Sequence, residues 1–217
     1  MTALFRLHSS LFAVSLAGLV TTMLAVASVM INFDNDEIGK PPSGFGFDLT
    51  GQGRPGVWVI QKDGATHTNV LVQTDADRTN YRFPLAIYND FTGTDVALSV
   101  RFKPIAGKGD QGAGLVWRLR DKDNYYITRC NALEDNCTIY HVVNGRRVAF
   151  QNHNVKVASN VWHTLNLDAT GNHFVVTYDS TKVLDAIDNA FKDAGRVGLW
   201  TKADSVIAFD DFTINGK

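Results

Sequence analysis

Between Gly112 and Val143 the chain gathers side chains suited to holding a sugar: Trp117, Arg118, Tyr125, Tyr126, Arg129, Asn131, Glu134 and His141. An aromatic ring can stack on the apolar face of a pyranose, while Arg, Asn and Asp reach its hydroxyls in planar, often bidentate geometry. Successive residues of a strand point to opposite faces, so Tyr125 and Arg129 cannot share a face with Tyr126. Leu115, Trp117 and Leu119 oppose Val116 and Arg118, which assigns Trp117 to the core and Arg118 to an open sheet face. Taking Ile127 as inward places Tyr126, Thr128 and His141 on that open face. Arg129 and Asn131 then belong to the sandwich rim near a loop, or the parity reverses there, because a buried Arg demands a partner. The expected sugar-contacting set is Arg118, Tyr126, Arg129, Asn131 and His141, against plain structural use of the same residues.

Catalysis has a thinner basis. Glycoside hydrolysis needs two carboxylates flanking the bond, one with a raised pKa. Glutamate occurs only at Glu37 and Glu134, so Glu134 paired with Asp123 is the expected catalytic couple. Solvation of a hairpin tip is the simpler role for Glu134 and its neighbour Asp135. No Gly-x-Ser-x-Gly elbow and no zinc-binding His or Cys spacing occurs. No cofactor is called for outright; a structural calcium ion is the one candidate, because hard cations take carboxylate oxygens and Asp34 and Asp36 near the start could meet Asp210 or Asp211 near the end, against a plain surface-turn role for the same residues. Only one ligand can come from Asp210-Asp211, since adjacent strand residues face opposite ways.

The elements that must position these residues read as strands. Carboxylates are nearly all Asp, a turn former, and not the helix-favouring Glu. Val96 to Lys103 alternates apolar and polar residues, the period of a strand buried on one face. Further strands are expected at Val57 to Gln61, Asn69 to Gln73, Ala113 to Leu119, Asn124 to Asn131, Cys137 to Val143 and Arg146 to Phe150. Asn144-Gly145 is the strongest hairpin signal. Trp162 to Ala169, His173 to Tyr178, Gly195 to Thr201 and Val206 to Ile214 complete the series, with a helical turn or two expected in Asp185 to Asp193. Asn32 to Gly53 reads as a surface wrap joining the sandwich at Phe33 and at Phe45 or Phe47. Regularly spaced short strands of this kind indicate an all-β jelly-roll sandwich of two antiparallel sheets.

Residues 1–27 read as a signal peptide: Arg6 and His8 precede an apolar run from Leu11, and Ala25-Val26-Ala27 is a small-x-small site. An uncleaved N-terminal anchor is the alternative, because Leu11 to Ile31 is long and apolar enough to span a bilayer. Residues 28–217 form one domain outside the cytoplasm on either reading: secreted, periplasmic or extracellular, or membrane-anchored. A hairpin symmetric about residues 131–136 sets Cys130 opposite Cys137, and a disulfide there suits an oxidising compartment. With 21 Lys and Arg against 22 Asp and Glu, and no charged block, nothing attracts nucleic acid.

Gly112-Ala113-Gly114-Leu115-Val116-Trp117-Arg118, Asn124-Tyr125-Tyr126, Arg129 and Asn131 resemble the central strands of the 3-keto-disaccharide hydrolase domain family, which has the concanavalin A-like lectin/glucanase fold. Val161-Trp162-His163-Thr164-Leu165, Asp188 with Phe191, Gly195-Arg196-Val197-Gly198-Leu199-Trp200-Thr201 and Phe209-Asp210-Asp211-Phe212 match its closing strands. Laminin-G and pentraxin-type domains look similar in the same segment. The resemblance implies a concanavalin A-like sandwich and allows glycoside hydrolysis, although the Glu-x-Asp-x-x-Glu run of that fold's glucanases is absent. The leading expectation is a carbohydrate-binding domain holding a glycan on an exposed, concave sheet face. A hydrolase of the 3-keto-disaccharide type and a laminin-G-like protein-interaction or structural domain are the alternatives.

Overall fold

The computed structural model describes residue 1 and residues 28–217, and the leader expected at 1–27 lies almost wholly outside them. Residues 28–31, the end of the long apolar run, are strand. No helix among the described residues is long and apolar enough to cross a membrane.

Fifteen strands follow one another among the described residues. They are β1 (Ser28–Ile31), β2 (Phe45–Gly51), β3 (Trp58–Lys62), β4 (Asn69–Gln73), β5 (Arg82–Gly93), β6 (Val96–Ala106), β7 (Gly112–Asp121) and β8 (Asn124–Asn131). Then come β9 (Asn136–Val143), β10 (Arg146–Asn154), β11 (His163–Thr170), β12 (His173–Tyr178), β13 (Thr181–Ile187), β14 (Gly195–Thr201) and β15 (Val206–Gly216). They pair into the expected two antiparallel sheets. One runs β13-β12-β11-β6-β15-β4-β3 with β1 also on β15, the other β10-β9-β8-β7-β14-β5-β2. Three expectations yield to the structure. The surface wrap contains strand β2, residues 82–93 form a strand not anticipated, and of residues 185–193, where helical turns were expected, the first three close β13 and the rest are not helical.

The space between the sheets is filled by alternate residues of both. Leu98, Val100 and Phe102 of β6 meet Leu115 and Trp117 of β7, Tyr126 of β8 and Ile139 of β9. Burying each large apolar side chain contributes about 1.5–3 kcal/mol. The eight-stranded sheet is mostly buried on one face, as the alternation in β6 shows. The central strands of the seven-stranded sheet differ, because a second apolar cluster of Phe83, Leu85, Val116, Tyr125, Ile127, Tyr140 and Trp200 covers the outer face. Trp200 is buried, as expected of it, but on that outer side.

This second cluster reverses the parity expected on β8. Ile127 is apolar because the outer face is also apolar, so it gives no inward signal. Tyr126 and Cys130 point between the sheets, and Tyr125, Ile127, Arg129 and Asn131 point outward. The hairpin register itself is as expected: Tyr126 pairs with His141, Thr128 with Ile139 and Cys130 with Cys137. The two cysteines form a disulfide within the core, with Cα atoms 4.1 Å apart. Asn144-Gly145 makes the β9–β10 turn with both φ values positive, 49° and 75°, which is what a two-residue hairpin of matching twist requires.

Candidate functional site

The outward positions of the seven-stranded sheet line up in rows. Ile127 lies opposite Tyr140, and Val142 lies between Tyr125 on one side and Arg147 on the other. In a neighbouring row Gly114 separates Arg129 from Trp200. A Cβ at Gly114 would sit 2.6 Å from Ile127 Cδ1 and 3.1 Å from Arg129 Cβ, so only glycine leaves these side chains room. The face therefore presents Arg129, Asn131, Tyr140, Arg147 and Trp200 together.

At one end of the rows the polar groups are knit together. The Arg129 guanidinium, 3% exposed, donates from Nη2 to Glu134 Oε2 at 2.5 Å and to Tyr140 Oη at 2.8 Å. Its Nη1 donates to Asn136 Oδ1. Lys202 Nζ bridges Glu134 Oε1, 3.0 Å away, and Asp110 Oδ2. Asn131 donates to Asp110 Oδ1 and accepts from Leu133 N. Burial pushes the Asp110 carboxyl up, against the opposing pull of Lys202. Burial works the same way on Glu134, but the charges of Arg129 and Lys202 outweigh it and hold this carboxyl below its ordinary value. Glu134 is thus kept ionised, which suits ligand binding and opposes service as a general acid. Asp110 has the opposite shift but is 2% exposed, out of reach of a substrate.

Arg147 stands apart from this network. Its Cζ lies 4.5 Å from the Phe83 ring centroid, 4.4 Å from Tyr140 and 5.5 Å from Trp200. The guanidinium thus covers rings that would otherwise form a stacking platform. Tyr81 frames one side, packing edge-on against Phe83 and accepting the Arg147 backbone N–H.

The sequence-derived candidates separate into those the fold brings here and those it does not. Arg129, Asn131 and Glu134 are together on this face. Arg118 is not on the open face: a bulge in β7 and a φ of 48° turn it to the end of the sandwich. There it donates to the carbonyls of Thr94 and Phe191, each at 2.8 Å, and packs over Phe174. Tyr126 faces the core, and its hydroxyl donates to Asp188 at 2.6 Å and accepts from Phe191 N. His141, half-buried on the same side, meets Asp188 through Nδ1 at 3.2 Å. Asp123 lies in the turn before β8 and Glu134 beyond its far end, so eight strand residues separate them. That spacing is about 25 Å, several times what two carboxylates flanking one glycosidic bond can have.

Asp34 and Asp210 do approach one another. Asp210 is pushed up to about 6, by burial first and also by the charges of Asp211 and Asp34. The cation beside it is Arg101, whose Nη1 is 3.6 Å from Asp210 and 3.1 Å from Asp211. No set of three or more acidic, His or Cys side chains able to hold an ion assembles among the described residues. The pair does not fit the six to eight oxygens calcium takes.

Sequence reasoning missed Arg147, Lys202, Asp110 and Tyr140. The signal for two of them was present: Asn144-Gly145 fixes Arg147 opposite Val142, and the same hairpin arithmetic that pairs the cysteines puts Tyr125 opposite Val142. With the parity of β8 set correctly, Arg147 and Tyr140 fall on the face of Arg129.

No known family's sequence profile matches the chain, and no curated protein matches it in sequence. Solved structures do resemble it in fold. The carbohydrate-binding module CBM66 from Bacillus subtilis superposes with a TM-score of 0.63 at 22% identity, over 79% of this chain and 96% of that one. The exoplasmic/lumenal domain of VIP36 in its Ca2+- and mannose-bound form gives 0.61 at 12% identity, over 88% and 89%. Domain 4 of AbnA, an extracellular arabinanase from Geobacillus stearothermophilus bound to arabinotriose, gives 0.57 at 12% identity, over 89% and 94%. The chain shares with these structures an all-β sandwich of two antiparallel sheets. The expected likeness to this wider class holds, whereas membership of the 3-keto-disaccharide hydrolase family is not among the matches.

Proposed function

We propose that this protein is an extracytoplasmic carbohydrate-binding domain that holds a glycan on the outer face of its seven-stranded sheet. The observation that carries the reading is the Arg129–Glu134–Lys202–Asp110–Asn131 network. It fixes the part-exposed Glu134 and Lys202 at the rim of this face and supports them from beneath with the buried Arg129, Asp110 and Asn131, where an apolar cover would cost less to bury. Hydrogen-bonding side chains held rigid by one another are what a sugar-hydroxyl site needs. The core disulfide supports folding in an oxidising compartment, hence a secreted, periplasmic or extracellular location or a membrane-anchored one outside the cytoplasm. The comparison proteins named for carbohydrate binding support the same reading.

The hydrolase reading has less behind it. Glu134 is ion-paired, Asp123 is a strand length away, and Asp110, the other carboxylate held by Lys202, is buried beneath the face. The test is retention of the protein on a panel of oligo- and polysaccharides, including 3-keto disaccharides, with product masses followed in parallel. Saturable retention without products, weakened by Glu134→Gln and by Arg129→Lys, is the expected result. Turnover abolished by Glu134→Gln would make it an enzyme, and neither retention nor turnover would sink the carbohydrate reading.

A further inference from the structure

Among the described residues no hydrogen bond or ion pair engages the Arg147 guanidinium, and its Nη1 is buried without a partner. The neighbouring Arg129 keeps one buried N–H, Nε, equally unpartnered, although the residue is 3% exposed. Both guanidinium groups lie over the Tyr140 ring, at 4.4 and 5.7 Å, so the two free donors belong to one small region. A buried donor left unmade costs roughly 1–3 kcal/mol, and more when it is charged. A Met or Leu at position 147 would cover Phe83, Tyr140 and Trp200 without that cost, so ring packing alone does not account for an arginine.

Charge gives the same direction. The rim carboxylates are already engaged, Glu134 by Arg129 and Lys202 and Asp110 by Lys202 and Asn131. Among the described residues of this face, Arg147 is the cation without a carboxylate partner. Burial works against its charge, and the carboxylate that acts on it, Asp110, is not in contact with it. A neutral hydroxyl meeting the half-buried Arg147 side chain could accept a hydrogen bond from it but would leave the charge uncompensated. A planar carboxylate or a sulfate accepts from a guanidinium fork and cancels it as well.

We propose that the glycan taken by this face is anionic, and that Arg147 receives its charged group, a uronate carboxylate or a sulfate ester. This rests on the carbohydrate reading above and narrows it to a class of sugar. The guanidinium plane, which shields the rings beneath it, is then itself the platform the saccharide meets.

The experiment compares matched polymers that differ only in charge: polygalacturonate against its fully methyl-esterified form, and dextran sulfate against dextran. Dissociation constants are measured by calorimetry or affinity electrophoresis on the wild type, Arg147→Met, Arg147→Lys and Arg146→Met. Arg146→Met controls for net charge, since Arg146 is exposed and one residue out of phase with this face. Wild type is expected to bind at least one charged polymer about tenfold or more tightly than its neutral twin, weakening with salt. Which pair shows the difference identifies the carboxylate or the sulfate. Arg147→Met should erase the preference, Arg147→Lys should keep part of it, and Arg146→Met should leave it intact. Retained melting temperature and near-ultraviolet circular dichroism certify each variant's fold. Equal binding of charged and neutral twins overturns the proposal, as does a preference that survives Arg147→Met. Binding of neutral sugars alone, lost in Glu134→Gln, overturns the anionic class and spares the carbohydrate reading; binding of no sugar overturns both.

Discussion

Arg118 and Arg147 sit on the same sheet, and each packs its guanidinium on aromatic rings, yet they are spent differently. Arg118 is 2% exposed and ties together Thr94, Phe191, Gly171 and Asp95, three of them through main-chain carbonyls. Arg82, fully buried, does the same at the opposite end of β5, reaching the carbonyls of Arg54, Pro55 and Ala203 and the carboxylate of Asp75. Backbone carbonyls need such donors when loops close over a sheet end, because a buried carbonyl left without a partner is costly. Arg147 has rings beneath it and no acceptor. A buried arginine alone says little about function; whether its donors are consumed by the protein's own carbonyls is what separates a clamp from a binding group.

The clamp can be broken directly. Arg118→Met keeps the aliphatic packing on Phe174 but strips three carbonyls of their donor. Chemical denaturation should show a loss of about 3–5 kcal/mol, with glycan retention unchanged wherever the variant remains folded. A stability loss below about 1 kcal/mol would mean that water takes over the carbonyls, and the contrast with Arg147 would dissolve.

The hairpin β8–β9 belongs to both regions, because its disulfide lies in the core while its tip carries Glu134. Replacing Cys130 and Cys137 by Ala should cost roughly 2–2.5 kcal/mol on the chain-entropy account of so short a loop. Sugar retention should weaken alongside, as Glu134 loses its fixed approach to Arg129. Unchanged retention would show that Lys202 suffices to hold Glu134 in place.

The pairing of that hairpin was legible in the sequence, since symmetry about one polar link and one Asn-Gly turn determined which residues meet. The faces were less so. Alternation identifies the core side only where the other side is wet, as on β6. On β7, β8 and β14 both sides are apolar, so Ile127 and Trp200 carried no directional information. Strand β5 escaped for the same reason: Leu85 and Ile87 pack outward, Ala86 packs inward, and Pro84 sits in the midst. The side of Arg118 depended on a bulge, which no periodicity reveals. The Asp110–Lys202 contact joins residues 92 positions apart and becomes visible only once β7 and β14 are neighbours.

A pH titration sharpens the structural side of the comparison. Burial raises the Asp188 carboxyl, but the Tyr126 hydroxyl, the Ala190 N–H and His141 together outweigh it and hold the group below its ordinary value. A carboxyl depressed in the folded state contributes stability that is complete above its unfolded pKa of about 4 and is lost as pH falls through the native value. Asp188→Asn should therefore lower stability by about 1 kcal/mol near neutrality. The difference between wild type and variant should shrink from about pH 5 downward. A constant difference across that range would assign the loss to packing and not to the charge.

Asp123 gives the smallest effect and bears most directly on the enzyme alternative. It is held by Lys122 in an exposed turn at the far end of β8 from the polar network. Surface substitutions away from special contacts stay within about 0.5 kcal/mol, and Asp123→Ala should do so while leaving retention of any glycan unchanged. No turnover can depend on it together with Glu134, because a strand about 25 Å long cannot bring the two carboxylates to one bond. Loss of sugar binding in this variant would centre the site on Arg147 and the Asn144-Gly145 turn, which Asp123 and Tyr81 border, and not on Glu134. The rim network would then be a second clamp like that of Arg118.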